Sequence, residues 1–264
     1  MQFIKLGDQV MHYRMRGEGA QTTLVFANSL GTDLRLWDRL APAFDGNFCV
    51  LCYDKRGHGL SSAPPPPYSL ADHRDDLINL LDALGIADIV LCGDSVGGLI
   101  VQAIAERQPD RVKALVLCDT AARIGDEATW NSRIEAARNG GVEALADATM
   151  ERWFSEAFRR RNTDEIQIWR NMLVRTPLDG FIGTMMALRD ADQTAATGAF
   201  DLPALVVVGS EDGSTPPAVV RELANLIDNS EFHVIAEAGH LPCVDQPGKL
   251  QEVMTGFFRK HQLM

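Results

Sequence analysis

A serine between glycines stands at Gly93-Asp94-Ser95-Val96-Gly97-Gly98, directly after the apolar run IVLC and directly before the helical stretch VGGLIVQAIAERQ. A strand that turns abruptly into a helix holds its turning residue in unusual backbone angles, so small neighbours are needed on either side. The helix then offers free N–H groups and a partial positive charge to an incoming oxyanion. Ser95 is therefore the expected nucleophile for acyl transfer. A carboxylate can attack from the centre of such a turn, but Asp94 stands one residue early, where its side chain points away from the nucleophile direction. A charge there, beside an oxyanion site, has no function in this scheme.

A serine hydroxyl is a weak nucleophile at neutral pH and needs a base. Glu237-Ala238-Gly239-His240 follows the last strand-like run, EFHVIA, at a sheet end where loops gather. His240 also comes after Ser95, in the chain order Ser, acid, His of this turn type. His12 and His233 fall within strands, His73 near a helix start and His261 in the terminal tail; His58, in Arg56-Gly57-His58-Gly59, is the rival. The acid that orients the imidazole should follow PALVVVG, where Gly209-Ser210-Glu211-Asp212 supplies Asp212. Glu211 and Asp119, which ends VKALVLC, are the alternatives, and a helix cap ahead of Pro216-Pro217 is the plain structural use of Asp212. The oxyanion hole calls for the N–H of Val96 and one from Asn28-Ser29-Leu30-Gly31, taken as that of Leu30.

The elements that position these residues form an α/β pattern. QFIKL and VMHYRMR flank Gly7-Asp8-Gln9 as a hairpin, and TLVFA, FCVLCY, DIVLC and VKALVLC follow as short buried strands. Helical stretches lie at about 34–43, 70–84 and 96–108, and the alternation resumes near Leu202 with PALVVVG, residues 216–226, EFHVIA and residues 246–260. This gives a sheet of roughly eight strands, mostly parallel and flanked by helices. Between Arg123 and Thr197 no strand is evident, and three of the four tryptophans gather there: Trp130, Trp153 and Trp169. Residues 1–122 and 198–264 are thus expected to form the core, and 123–197 an inserted helical cap.

The net charge of −11 argues against a nucleic-acid partner, and an anionic substrate would need a local positive site. No apolar run approaches the roughly 20 residues of a membrane span, and the start shows no secretory pattern, so no membrane association and a cytoplasmic location are expected. Of the five cysteines, Cys49-x-x-Cys52 lacks a second pair, so packing thiols are expected rather than a zinc or redox site. Neither a metal-ligand cluster nor a dinucleotide fingerprint occurs, and no cofactor is expected.

With these residues placed, the chain resembles the α/β-hydrolase fold family, and within it the 3-oxoadipate enol-lactonases. The resemblance rests on Ala27-Asn28-Ser29-Leu30-Gly31-Thr32-Asp33 with Trp37, on Tyr53-Asp54-Lys55-Arg56-Gly57-His58-Gly59-Leu60-Ser61, on Thr120-Ala121-Ala122-Arg123-Ile124-Gly125, and on Trp130-Asn131-Ser132-Arg133-Ile134. Departures stand at Asp94, where an apolar residue is expected, at Asp119, where Asn is expected, and at Leu241-Pro242-Cys243. The resemblance implies hydrolysis of a small anionic lactone to 3-oxoadipate, in aromatic catabolism, through an acyl-enzyme. It implies Arg133 as the cation for the substrate carboxylate, with Trp130 and Trp153 shaping the pocket wall; a solvated helix face and ordinary packing are the plain alternatives. A C–C bond hydrolase of a ring-cleavage product, a broad carboxylesterase and a ligand receptor on the same fold are the competing functions. Oligomeric state is not legible.

Overall fold

The computed structural model describes residues 1–17 and 20–264. Its centre is an eight-stranded sheet made of β1 (Gln2–Leu6), β2 (Gln9–Arg16), β3 (Thr23–Ala27), β4 (Cys49–Tyr53), β5 (Ile89–Asp94), β6 (Val112–Cys118), β7 (Ala204–Gly209) and β8 (Ser230–Ile235). The spatial order is β1-β2-β4-β3-β5-β6-β7-β8. β1 and β2 form a hairpin closed by Gly7-Asp8, with Leu6 opposite Gln9, and β2 also runs antiparallel to β4. All later pairings are parallel. Every residue of β3, β4, β5 and β7 is buried, which is why these strands read as continuous apolar runs rather than as alternating ones.

The helices are α1 (Leu70–Ala83), α2 (Val96–Arg107), α3 (Glu127–Gly140), α4 (Glu143–Trp153), α5 (Glu156–Arg161), α6 (Thr163–Val174), α7 (Leu178–Asp190), α8 (Thr194–Thr197), α9 (Pro217–Leu226), α10 (Pro242–Asp245) and α11 (Pro247–Lys260). Ser69 and Asp72 close a reciprocal capping box on α1, which satisfies two otherwise orphaned N–H groups. α2 packs on β5 and β6, and α9 on β7 and β8. Between β6 and β7 the chain runs through α3 to α8, where α3 lies against α4 and α7, and α4 against α6. No helix among the described residues is long and apolar enough to cross a membrane.

One expected element is different. The helix expected over about 34–43 is two 3-10 turns, Leu34–Trp37 and Ala41–Phe44. Pro42 supplies no N–H and its ring clashes with the carbonyl four residues back, so a continuous helix breaks there. The aromatic residues still reach the core: Trp37 packs on Phe26 at 4.7 Å between ring centroids, and Phe44 on Phe258 at 5.5 Å. All five cysteines are buried and unpaired.

The parallel strands set where chemistry can occur. β5 and β4 lie on opposite sides of β3, so the chain reverses its winding there. In such sheets the crevice opens beyond the carboxyl ends of the strands. Ser95, Asp119, Ser210 and Ala236 each follow directly on a carboxyl end, those of β5, β6, β7 and β8 respectively.

Candidate active site

Ser95 has φ 56 and ψ −120, a conformation L-residues seldom adopt, between the end of β5 and the start of α2. The residues two positions away on either side are glycine because backbone crosses backbone. A Cβ on Gly93 would meet the Gly97 carbonyl oxygen at 2.3 Å, and one on Gly97 would meet that of Ala27 at 2.0 Å. The turn is further held by the Ser95 N–H donating to the Cys118 carbonyl (3.0 Å) and the Thr120 hydroxyl donating to the Ser95 carbonyl (2.7 Å).

His240 lies in the loop after β8 and Asp212 in the loop after β7; His240 Nδ1 and Asp212 Oδ2 are 2.9 Å apart, and both side chains are almost wholly shielded from solvent. Asp212 also accepts from the Ser214 N–H (2.7 Å), the Thr215 N–H (3.0 Å) and the Thr215 hydroxyl (2.6 Å). Burial alone would push its carboxyl up, but the His240 charge and these hydrogen bonds outweigh burial and hold it below its usual value. For His240 burial pushes the imidazole down, the Asp212 charge and hydrogen bond lift it further, and the net direction is up. Asp212 does not cap the helix that follows, because α9 begins at Pro217 with Pro216 in the capping position.

The alternatives to these residues are engaged elsewhere. Glu211 accepts from the Glu156 N–H at the start of α5 (3.0 Å). The Gly31 N–H donates to Nε2 of His58 (3.0 Å), and burial with the Lys55 charge pushes that imidazole well below its usual value. His58 is thus a neutral acceptor that shapes the Asn28–Gly31 loop. Asp119 stays close: Oδ1 accepts from the Gly209 N–H (2.8 Å), while buried Oδ2 has no partner among the described residues. Atoms of Asp119, Asp212 and His240 lie within 4.8 Å of one another, the spacing of a possible metal-ligand set, but Asp212 and His240 already bond each other.

A cavity opens onto His240 and Ser95, and Ser29, Leu30, Trp130, Arg133, Arg152 and Trp153 also line it. The N–H groups of Leu30 and Val96 donate to no acceptor among the described residues. Lys55 donates to the Ser29 carbonyl (2.5 Å), which fixes the loop that carries Leu30. Trp130 donates through Nε1 to the Ile124 carbonyl (2.6 Å), and the Arg133 guanidinium lies 4.9 Å from the Trp130 ring centre. Arg152 was not singled out by sequence, because it is one arginine among many in the inserted helices and no motif surrounds it.

Asp94 is fully buried outside the cavity lining, and neither carboxyl oxygen has a hydrogen-bond partner among the described residues. Burial pushes its carboxyl up to about 8, with the His240 charge opposing and the Asp212 charge adding to the rise. Burial thus disfavours the very charge that is out of place beside an oxyanion site.

A mostly parallel eight-stranded sheet with a strained serine at the β5–α2 turn and a histidine–carboxylate pair beyond β7 and β8 defines a class, and the chain belongs to it: residues 22–247 match the α/β-hydrolase fold family. Within that class it is 33% identical over 253 residues to 3-oxoadipate enol-lactonase 2 of Acinetobacter baylyi, covering 96% of this chain and 94% of the relative. It also superposes on the crystal structure of the enol-lactonase from Burkholderia xenovorans LB400 with a TM-score of 0.94 and 35% identity, covering 98% of this chain and 100% of that one. A thermophilic esterase from Thermogutta terrifontis gives a TM-score of 0.91 at 28% identity, with 99% of each chain covered.

Proposed function

We propose that this hydrolase cleaves a small anionic enol-lactone, 3-oxoadipate enol-lactone, to 3-oxoadipate, with Ser95 as nucleophile, His240 as base and Asp212 as the orienting acid. Ser95 Oγ attacks the lactone carbonyl as its proton passes to His240, whose cationic form Asp212 stabilises. The carbonyl oxygen becomes an oxyanion facing the Leu30 and Val96 N–H groups. Collapse breaks the ring C–O bond and leaves an acyl group on Ser95, which water activated by His240 then releases. Residues 123–197 serve as the cap that closes the pocket over this chemistry, with Trp130 and Trp153 as wall.

One observation carries the substrate assignment: the cavity that holds Ser95 and His240 also holds the Arg133 guanidinium, stacked on Trp130 and without a carboxylate partner among the described residues. In a protein of net charge −11, a half-buried unpaired cation in the cavity that holds the nucleophile suits a substrate carboxylate. A steady-state panel of the enol-lactone, 4-nitrophenyl acetate and a dienoate ring-fission product tests the assignment. The lactone should exceed the neutral ester in kcat/KM by about tenfold to a hundredfold, the worth of one charge-assisted contact. Preferred turnover of the dienoate would make the protein a C–C bond hydrolase, and preferred turnover of the acetate a general esterase.

A further inference from the structure

The cavity holds a second cation that binding of one carboxylate arm leaves without use. Arg152 lines it from the last turn of α4, and neither Arg133 nor Arg152 forms an ion pair among the described residues, although most other arginines of the inserted helices do. The Arg152 guanidinium bonds only the Thr149 hydroxyl, at 2.9 Å. Two like charges share one half-buried cavity, where each is raised in energy by lost hydration and Arg152 also by the charge of Arg133. Such a pair is costly unless negative charge arrives to meet it.

The two arginines are not equivalent. Arg152 and His240 line the same cavity, and the Arg152 charge lowers the proton affinity of His240. The backbone around Arg152 is also tied to the loops of the acid–base pair: the Gly213 N–H donates to the Arg152 carbonyl (3.3 Å), and the Leu241 N–H donates to the Trp153 carbonyl (3.3 Å). The backbone of Arg152 is therefore anchored beside the loops that carry Asp212 and His240, whereas Arg133 stands on α3.

We propose that Arg152 is a catalytic residue that meets the leaving oxygen, while Arg133 holds the substrate's carboxylate. The proposal rests on the lactonase assignment for its substrate. When the tetrahedral adduct on Ser95 collapses, the carbonyl re-forms and the ring C–O bond breaks with its electron pair kept by the ring oxygen. That oxygen leaves as an enolate, which the Arg152 guanidinium neutralises. The proton taken from Ser95 returns from His240 to this enolate, which becomes a ketone. Water then cleaves the acyl ester, restoring the Ser95 hydroxyl and leaving a second carboxylate, so the dianionic product faces two cations.

The test uses Arg152→Gln and Arg152→Lys beside Arg133→Gln, assayed on the enol-lactone and on aryl acetates whose leaving phenols span a range of acidity. Arg152→Gln should lower kcat on the lactone by about tenfold to a hundredfold with little change in KM, with partial recovery in Arg152→Lys, whereas Arg133→Gln should chiefly raise KM. On the aryl acetates Arg152→Gln should steepen the dependence of kcat/KM on leaving-group acidity, because charge on the departing oxygen is no longer met. A uniform drop across the acetates with unchanged slope would assign Arg152 a merely structural function and overturn the proposal. So would a rise in KM alone on the lactone. If the wild type ignores the lactone but the acetate slopes still diverge, the substrate assignment fails and the function of Arg152 stands.

Discussion

Asp94→Asn changes one buried atom pair and should make the protein more stable as pH rises. In the folded chain burial without a hydrogen-bond partner disfavours the charge and pushes the Asp94 carboxyl up to about 8. In the unfolded chain it ionises near its usual value of 3.8. Between these limits the folded state binds one proton more than the unfolded state, so stability falls with rising pH at about 1.4 kcal/mol per unit from this group alone. By pH 7 the accumulated cost is on the order of 4 kcal/mol, an upper figure because relaxation and water entry soften burial. Asn carries no such proton. Urea unfolding of both proteins at pH 5, 6, 7 and 8, read as midpoints at constant m, should show the difference in favour of Asn growing steadily with pH. The variant should also keep its turnover, since Asp94 lies outside the cavity lining. Parallel stability curves across that range would show that Asp94 is ionised in the folded protein and would refute the reasoning.

Asp212→Asn should lower kcat by about 10³–10⁴-fold while a bound product analogue is retained, because the amide can donate to Nδ1 and hold His240 in the wrong tautomer; binding by calorimetry beside turnover checks this, and a comparable loss in Asp119→Asn with Asp212→Asn near wild type would move the acid to β6. The acid limb of kcat/KM should lie above the ordinary imidazole value of 6.5, since Asp212 raises His240 and the base must be neutral to act; a pH–rate profile with its limb below that value would contradict the pairing. Gly180→Ala should cost about 1–3 kcal/mol, because its Cβ would stand 2.1 Å from the Gly57 carbonyl oxygen, whereas Gly256→Ala, with nothing within 4 Å, should stabilise α11 by roughly 1 kcal/mol. Thermal unfolding of the two variants distinguishes an effect of close approach from an effect of glycine itself.

The parts of the molecule legible in the sequence are those where a local rule and the tertiary structure agree. TLVFA, IVLC and ALVVVG could only be buried strands, and the glycines of the elbow record backbone crossings that the structure locates at Gly97 and Ala27. His240 and Asp212 were placed by chain order and by the strands they follow, and the structure brings them to 2.9 Å. What escaped depends on neighbours distant in sequence. The residues over about 34–43 have a helical pattern, but Pro42 interrupts it and packing of Trp37 and Phe44 sets the path. The raised proton affinity of Asp94 follows from burial on all sides, which no local pattern reports. Arg152 looks like its solvated neighbours until the fold turns it into the cavity beside His240.

Covalent labelling tests the nucleophile most directly. The protein is treated with a fluorophosphonate, digested and mapped by mass spectrometry, beside Ser95→Ala. The account predicts one adduct per chain, located on Ser95, with loss of turnover in proportion to labelling, and neither labelling nor turnover in the folded Ser95→Ala protein. An adduct on another residue, or lactone hydrolysis that persists in Ser95→Ala, would contradict it.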